Sequence, residues 1–366
     1  MSNANIVTRK KSKGAGCLRW LGRAALGFLS LVLVAVAIGA SYQAIASAGD
    51  AKLYKPVDQM VDVNGVQMRL DCRGSGSPTV ILEAGAQSWS THWALVQDDV
   101  AQFTRVCSYD RAGYGWSEPV DEEVNPQKAA KMLHTLLENG GEKPPYLMVG
   151  HSFGGVIVRT FTTEYPDEVV GMVLVDSSHE NQFQQSPPEI EEISKVQLET
   201  GLTSLKINQI AERLGYIRAF KLYDAVVASL QFPEKDEAAL LAEMYRTGYY
   251  PAMAREAEVL IAYCRQPCKL NSLGDMPLIV LSAEKNAQEI YDGWAIYAPY
   301  TDPPSQISME MAQQWADTLS GFQDELVALS TQGKRIDVKE SGHNIHMEKP
   351  QAVIDAVREV FEQVSK

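Results

Sequence analysis

Ser152 stands in Gly150-His151-Ser152-Phe153-Gly154, directly after the apolar run Tyr146-Leu147-Met148-Val149 and before a helical stretch that stops at Pro166. A serine flanked by glycines where a strand turns into a helix reads as a nucleophile elbow. The turn strains the backbone and holds the hydroxyl above the sheet edge. The glycines let strand and helix approach without Cβ clashes. A serine hydroxyl is a poor nucleophile at neutral pH and needs a base. Of the six histidines, His343 fits best: it lies in Ser341-Gly342-His343-Asn344, in a loop between the last strand and the last helix. Loops at strand ends carry catalytic groups in α/β sheets. His346, three residues on, is the alternative. His134 reads as a helix face and His151 as packed within the turn.

The elements that must position these groups follow from periodicity. Val57–Val63 and Val66–Cys72 flank Asn64-Gly65, a hairpin signal. Thr79–Glu83, Thr104–Tyr109, Tyr146–Val149 and Val169–Val175 read as short strands, mostly continuous apolar runs. Helical stretches at Thr91–Phe103, Gln127–Glu138 and Ser152–Tyr165 separate them, which predicts a mostly parallel sheet covered on both faces. From Ser177 to Gly274 no strand pattern occurs. Helical stretches recur at Glu189–Glu199, Ile207–Arg213, Glu237–Tyr245 and Ala252–Cys264. Strands resume at Pro277–Ala283 and Arg335–Val338, and Gln351–Val364 closes the chain as a helix. The aromatic stretch Tyr245–Met253 reads as packing within the helical insertion.

The 366 residues, 45% hydrophobic and 22% charged, are ordinary globular values and suit about two domains or one large domain with an insertion. No repeat period is visible. The net charge is -13, yet no Asp or Glu precedes Asp50, while Arg9, Lys10, Lys11, Lys13, Arg19 and Arg23 do. The remainder is therefore strongly acidic, a charge that nucleic acid and anionic lipid surfaces repel, which argues against nucleic acid as a partner. The apolar run Ala24–Ala40 reaches the lower limit of about 17 residues for a spanning helix. Its one-sided basic flank predicts a cytoplasmic N-terminus and a body on the periplasmic or extracellular side. Two readings stand: a retained signal anchor, which the run length favours, and cleavage after Ala46-Ser47-Ala48. The division expected is a basic tail at 1–23, a transmembrane anchor at 24–48, a core at 55–176 and 275–366, and a helical cap at 177–274. Outside the anchor lie Cys72, Cys107, Cys264 and Cys268, which export would allow to pair. Cys264 and Cys268 have no second Cys or His pair beside them, so no zinc site is expected.

These features together resemble the α/β-hydrolase fold family, in its serine-nucleophile branch with a helical cap. The resemblance runs from about Lys55 to Lys366. It rests on Leu82-Glu83-Ala84-Gly85-Ala86, the stretch Asp110-Arg111-Ala112-Gly113-Tyr114-Gly115-Trp116-Ser117, the elbow, the helical insertion and Ser341-Gly342-His343 before Pro350. It implies Ser152 as nucleophile and His343 as base, with an oxyanion hole from the backbone N–H groups of Phe153 and Ala86. Many relatives have His-Gly where Ala84-Gly85 stands, which leaves backbone donors possible. Asp110–Ser117 is implied to be a structural turn. Many relatives carry the triad acid after the strand that resumes beyond the cap, where this chain has Ala283-Glu284-Lys285-Asn286. Others place it one strand earlier, where Asp176 ends Val173-Leu174-Val175. Asp176 is the reading adopted, with Glu284 and Asp292 as alternatives. The resemblance also makes the strands bearing Cys72 and Cys107 neighbours, so these two cysteines are candidates for a disulfide.

The resemblance implies a serine hydrolase that cleaves an ester or similar acyl bond of a small molecule through an acyl-enzyme, with no metal or organic cofactor. A serine at the elbow argues against the haloalkane dehalogenases and epoxide hydrolases of this fold, which use aspartate. The alternatives are an aminopeptidase or amidase of similar fold, and a ligand-binding relative without turnover.

Overall fold

The computed structural model describes residues 14–365 apart from 57–58, 183, 231, 247 and 264–270. Eight strands form one sheet: β1 (Met60–Val63), β2 (Val66–Arg73), β3 (Thr79–Glu83), β4 (Val106–Tyr109), β5 (Tyr146–His151), β6 (Val169–Val175), β7 (Leu278–Ala283) and β8 (Gly333–Val338), in the order β1-β2-β4-β3-β5-β6-β7-β8. β1 and β2 form the antiparallel hairpin, with Asn64 and Gly65 both at positive φ as a type I′ turn demands. β2 is antiparallel to β4, and every later pairing is parallel. β3 to β5 and β7 are buried at every residue, and β6 at all but one, which is why their sequences are continuous apolar runs.

The helices are α1 (Gly14–Leu53), α2 (Ala94–Val100), α3 (Pro126–Asn139), α4 (Phe153–Glu164), α5 (Pro188–Arg213), α6 (Tyr216–Ala219), α7 (Asp224–Ser229), α8 (Glu234–Met244), α9 (Tyr249–Tyr263), α10 (Ala287–Tyr297), α11 (Met309–Val327), α12 (Ile345–Glu348) and α13 (Pro350–Val364). Leu133 and Leu136 of α3, Phe161 of α4 and Leu326 of α11 bury one sheet face. Val96 of α2 and Ile354, Val357 and Val360 of α13 bury the other. Helices α5 to α9 form the cap between β6 and β7, as expected from the strandless stretch.

Three expectations change in detail. The two helical stretches at 189–199 and 207–213 are one helix, α5. Gly201 and the Thr-Ser pair after it interrupt the pattern locally, but packing of α5 along α9 carries the helix through. Thr91–Phe103 starts as a 3₁₀ turn at Ser90–Trp93 before the shorter α2. Helices α10 and α11, between β7 and β8, were not expected. Their N-caps were available as signals: the Asn286 side chain accepts from Gln288 N–H, and Ser308 accepts from Met311 N–H. Cys264 and Cys268 lie outside the described residues.

Register explains where function can sit. His151 pairs with Val175, and Val175 with Leu281. The next residues, Ser152 and Asp176, therefore leave neighbouring strands side by side at the carboxyl edge of the sheet, where open α/β sheets place their sites.

Cys72 lies directly opposite Cys107 in the β2–β4 pair, and the two are joined by a disulfide. The bridge closes a loop with a sequence separation of 35. In the chain-entropy account a loop of that size is worth about 3–4 kcal/mol. The double variant Cys72→Ser/Cys107→Ser should lose that much in denaturant unfolding of oxidised protein. Mass mapping without reductant that finds both thiols free would contradict the pairing.

Candidate active site

The elbow has the geometry its sequence implies. Ser152 sits at φ 51°, ψ −122°, between the end of β5 and the first turn of α4. A non-glycine residue in that region is strained and persists only where the surroundings hold it. Here they do: Ser152 N–H donates to Val175 C=O, while the Ser152 carbonyl accepts from Gly155 and Ser178 N–H. Two glycines permit the close approach. A Cβ at Gly154 would lie 2.5 Å from the Ala84 carbonyl oxygen, and one at Gly85 would lie 3.2 Å from Ser152 Cβ.

Asp176, at the end of β6, also has positive φ, 41°. Its carboxylate is buried and fully engaged. Oδ1 accepts from Ala283 N–H at 3.0 Å and from Lys285 Nζ at 2.6 Å. Oδ2 accepts from Lys285 Nζ at 2.7 Å and from His343 Nδ1 at 2.6 Å. A carboxylate only accepts, so His343 Nδ1 carries the proton and Nε2 is left with its lone pair. Burial alone would raise the Asp176 pKa. The hydrogen bond from His343 and the charge of Lys285 outweigh it and hold the carboxyl well below the usual carboxylate range.

The His343 side chain is 52% exposed, so it is reachable from solvent while Asp176 is not. The loop that carries it is tied down at three points. Ser341 C=O accepts from Glu284 N–H, Gly342 N–H donates to Glu348 Oε2, and His343 C=O bonds His151 Nε2 at 3.0 Å. A carbonyl can only accept, so His151 Nε2 bears the hydrogen. Burial, then the adjacent His343, push the His151 pKa down to about 3, which keeps its ring neutral. His151 is thus a structural support for the His343 loop.

Ser152, Asp176 and His343 line one cavity of about 300 Å³, together with Ser177, His179, Gln182, Leu260, Lys285 and Phe322. Ser152 and His343 share this wall without a hydrogen bond between their side chains. Such contacts are often loose before substrate binds. Phe153 and Ala86 are not on that cavity wall. They sit together in an apolar cluster with Ala129, Val156, Ile157 and Val259.

The remaining candidates fall elsewhere. Glu284 and Asp292 are exposed and neither bonds His343. Glu284 accepts from Glu340 N–H, and Asp292 accepts from the Gln288 side chain. Asn286 caps α10. His346 is buried against Trp93 and His151, with burial lowering its pKa strongly. His134 stacks on Tyr165 and pairs with Glu168. Asp110 is buried and structural, accepting from Ser90 N–H and Oγ and from Trp116 N–H. Tyr249 and Tyr250 pack with Trp89 and Tyr114 in the core beneath the cap.

Sequence reasoning missed one charged residue on the cavity wall and two that support the loop beside it. Lys285 is the first. The others are two buried cap carboxylates that hold the loop after β3. Glu256 of α9 accepts from Gln87 N–H, Tyr114 Oη and Arg111, whose guanidinium also binds Glu83 and the carbonyls of Ala84 and Gly85. Glu243 of α8 accepts from Trp89 Nε1, Thr91 Oγ1 and Arg69. Charge within an amphipathic helix gives no sequence signal of such pairing.

A model of the alpha/beta hydrolase family matches residues 73–356, and the chain belongs to that family. The uncharacterised protein YqjL of Bacillus subtilis is 25% identical over 289 residues, covering 79% of this chain and 85% of that protein. Among solved structures, an epoxide hydrolase from Bacillus megaterium aligns with TM-score 0.60 at 15% identity, over 83% of this chain and all (100%) of its own. An esterase from Thermogutta terrifontis aligns with TM-score 0.54 at 17% identity, over 84% of this chain and 98% of its own. At these identities the structural likeness is one of fold.

Two sets of variants test the assignment of the acid. Asp176→Asn should lower kcat about 10⁴-fold with little change in KM, since loss of the carboxylate holds the wrong histidine tautomer. Glu284→Gln and Asp292→Asn should each stay within about tenfold, or 1.4 kcal/mol on the barrier. Lys285→Met should retain activity. A large loss in Glu284→Gln with little in Asp176→Asn would transfer the role.

Proposed function

We propose that this α/β hydrolase is a membrane-anchored serine hydrolase that cleaves an ester or similar acyl bond. The observation that carries the reading is the buried Asp176 carboxylate bonded to His343 Nδ1, with His343 and the elbow serine on one cavity wall. In this reading Ser152 Oγ attacks the carbonyl carbon while His343 Nε2 takes its proton. The oxyanion that forms would be held by the backbone N–H groups of Phe153 and Ala86, the donors the family resemblance implies, although neither residue lines the cavity wall. Collapse expels the alcohol, protonated by His343, and leaves an acyl ester on Ser152. Water then attacks that ester with His343 again as base; the acyl–oxygen bond to Ser152 breaks, His343 returns the proton to Ser152 Oγ, and the acid departs.

Epoxide hydrolases of the same fold are among the structural neighbours, but the elbow residue here is Ser152 rather than an aspartate. An aminopeptidase needs a carboxylate free to hold the substrate amine. Among the described residues, the one acidic side chain lining the cavity is Asp176, which is already engaged. That favours an ester over an α-amino peptide.

Anchoring rests on α1. Trp20–Leu53 is long and apolar enough to cross a membrane. The helix continues unbroken past Ala48, and its Gln43 side chain is buried on the cap, donating to Tyr245 C=O at 2.6 Å. A partner for Gln43 in the folded body supports retention of the segment over cleavage. The basic residues that precede the run support a body on the periplasmic or extracellular side.

A panel of p-nitrophenyl esters of increasing acyl length, set against an aryl glycidyl ether as epoxide substrate, tests the reading. The esters should turn over and the epoxide should not. Ser152→Ala should abolish ester turnover, by on the order of 10⁶ in kcat, as for a triad nucleophile. Epoxide opening without esterase activity would overturn it.

A further inference from the structure

Where α1 leaves the body is fixed by close contact. Gly39 lies so near the Leu214 carbonyl oxygen that a Cβ there would come within 2.1 Å of it, and a Cβ on Gly215 would lie 2.5 Å from the Gly39 carbonyl oxygen. Arg218 then clamps the next turns of the helix, donating to Asp50 at 2.6 Å and stacking over Tyr245 at 4.8 Å. Before this junction the helix is exposed: Trp20, Leu31 and Ile38 are 68%, 71% and 65% accessible. Trp20 to Ile38 spans about 28 Å at 1.5 Å per residue, against a hydrocarbon core of about 30 Å. The first cap residues to touch the helix therefore do so at the height where a span of that length ends.

The cap surface at that height is unusual. Ile207 and Ile210 of α5, Tyr216 of α6, and Phe220, Leu222 and Val226 beyond it are all exposed large apolar side chains. Tyr216 and Phe220 stack with ring centroids 6.3 Å apart. They flank Leu214 and Gly215, the residues that meet the anchor. Lys206, Arg213 and Lys221 are interleaved with them and exposed, on a body that is otherwise acidic. An apolar patch with an aromatic pair and flanking cations is the composition of an interfacial membrane face, whose basic side chains reach up to headgroups.

We propose that this face of α5 to α7 is seated in the headgroup–acyl boundary of the same bilayer that α1 crosses. The cap then rests on the membrane rather than hanging from it by a tether. The inference rests on the anchor reading of α1 and adds a second, separate contact to it.

The test uses the full chain in nanodiscs of phosphatidylethanolamine and phosphatidylglycerol doped with a phospholipid that carries a diazirine in its acyl chain. After irradiation, peptide mass spectrometry should place lipid adducts both within 20–38 and within 206–226. Ile210→Glu/Phe220→Glu should cut adducts on the second region at least tenfold. It should leave those on the first region, and hydrolysis of a soluble short-chain ester, unchanged. Adducts confined to 20–38 overturn the proposal and leave the anchor standing. So does a protein–protein crosslink between two copies through 206–226 with no lipid there. Adducts in neither region, with release by alkaline carbonate, overturn the anchor reading as well.

Discussion

The arrangement at the sheet edge depends on one buried anion. Asp176 has left water and must be compensated, because an unpaired buried carboxylate is among the costlier defects a fold can carry. Its partners come from three directions: the backbone of β7 at Ala283, the cation of Lys285 just beyond it, and His343 in the loop after β8. Satisfying that one carboxylate joins the ends of β6 and β7 to the histidine loop and sets the histidine tautomer. The strained φ of both Ser152 and Asp176 marks the same edge. Lys285 has a cost for such a site, since it shares the charge that would otherwise stabilise an imidazolium. It also helps to keep Asp176 ionised, second to the hydrogen bond from His343.

A second constraint comes from above. Two cap carboxylates, Glu256 and Glu243, reach down to the loop after β3 that follows Glu83 and leads into Trp89. Glu256 with Arg111 fixes the backbone from Ala84 to Gln87, the segment beside Ser152, while Glu243 holds Trp89 and Thr91 just beyond it. The cap is therefore part of what shapes the site as well as its roof. Burial raises the Glu243 pKa, against the opposing pull of Arg69.

How much of this was legible in the sequence follows the range of the forces involved. Tyr146–Val149 running into Gly150 reads as a strand and an elbow because periodicity and glycine sterics act locally. Asp176 and His343 were legible as strand-end and loop residues because a parallel sheet brings such positions to one edge. Lys285 was not, because a lysine two residues past a strand carries no mark of its partner until β6 and β7 are paired. Glu243 and Glu256 sit in helices whose exposed-looking charges only the tertiary fold buries. The continuity of α5 through Gly201 was hidden for a related reason: its local propensity opposes what packing against α9 enforces. Helices α10 and α11 had readable caps at Asn286 and Ser308, and attention to those caps finds them.

The central claim is that Ser152 is a nucleophile activated by His343. The most direct measurement is intact-protein and peptide mass spectrometry after exposure of the folded chain to a fluorophosphonate. The account predicts one adduct per chain, on the peptide that contains Ser152, and loss of labelling in His343→Ala at unchanged thermal stability. Failure of the folded protein to label, or an adduct on another residue, would contradict it.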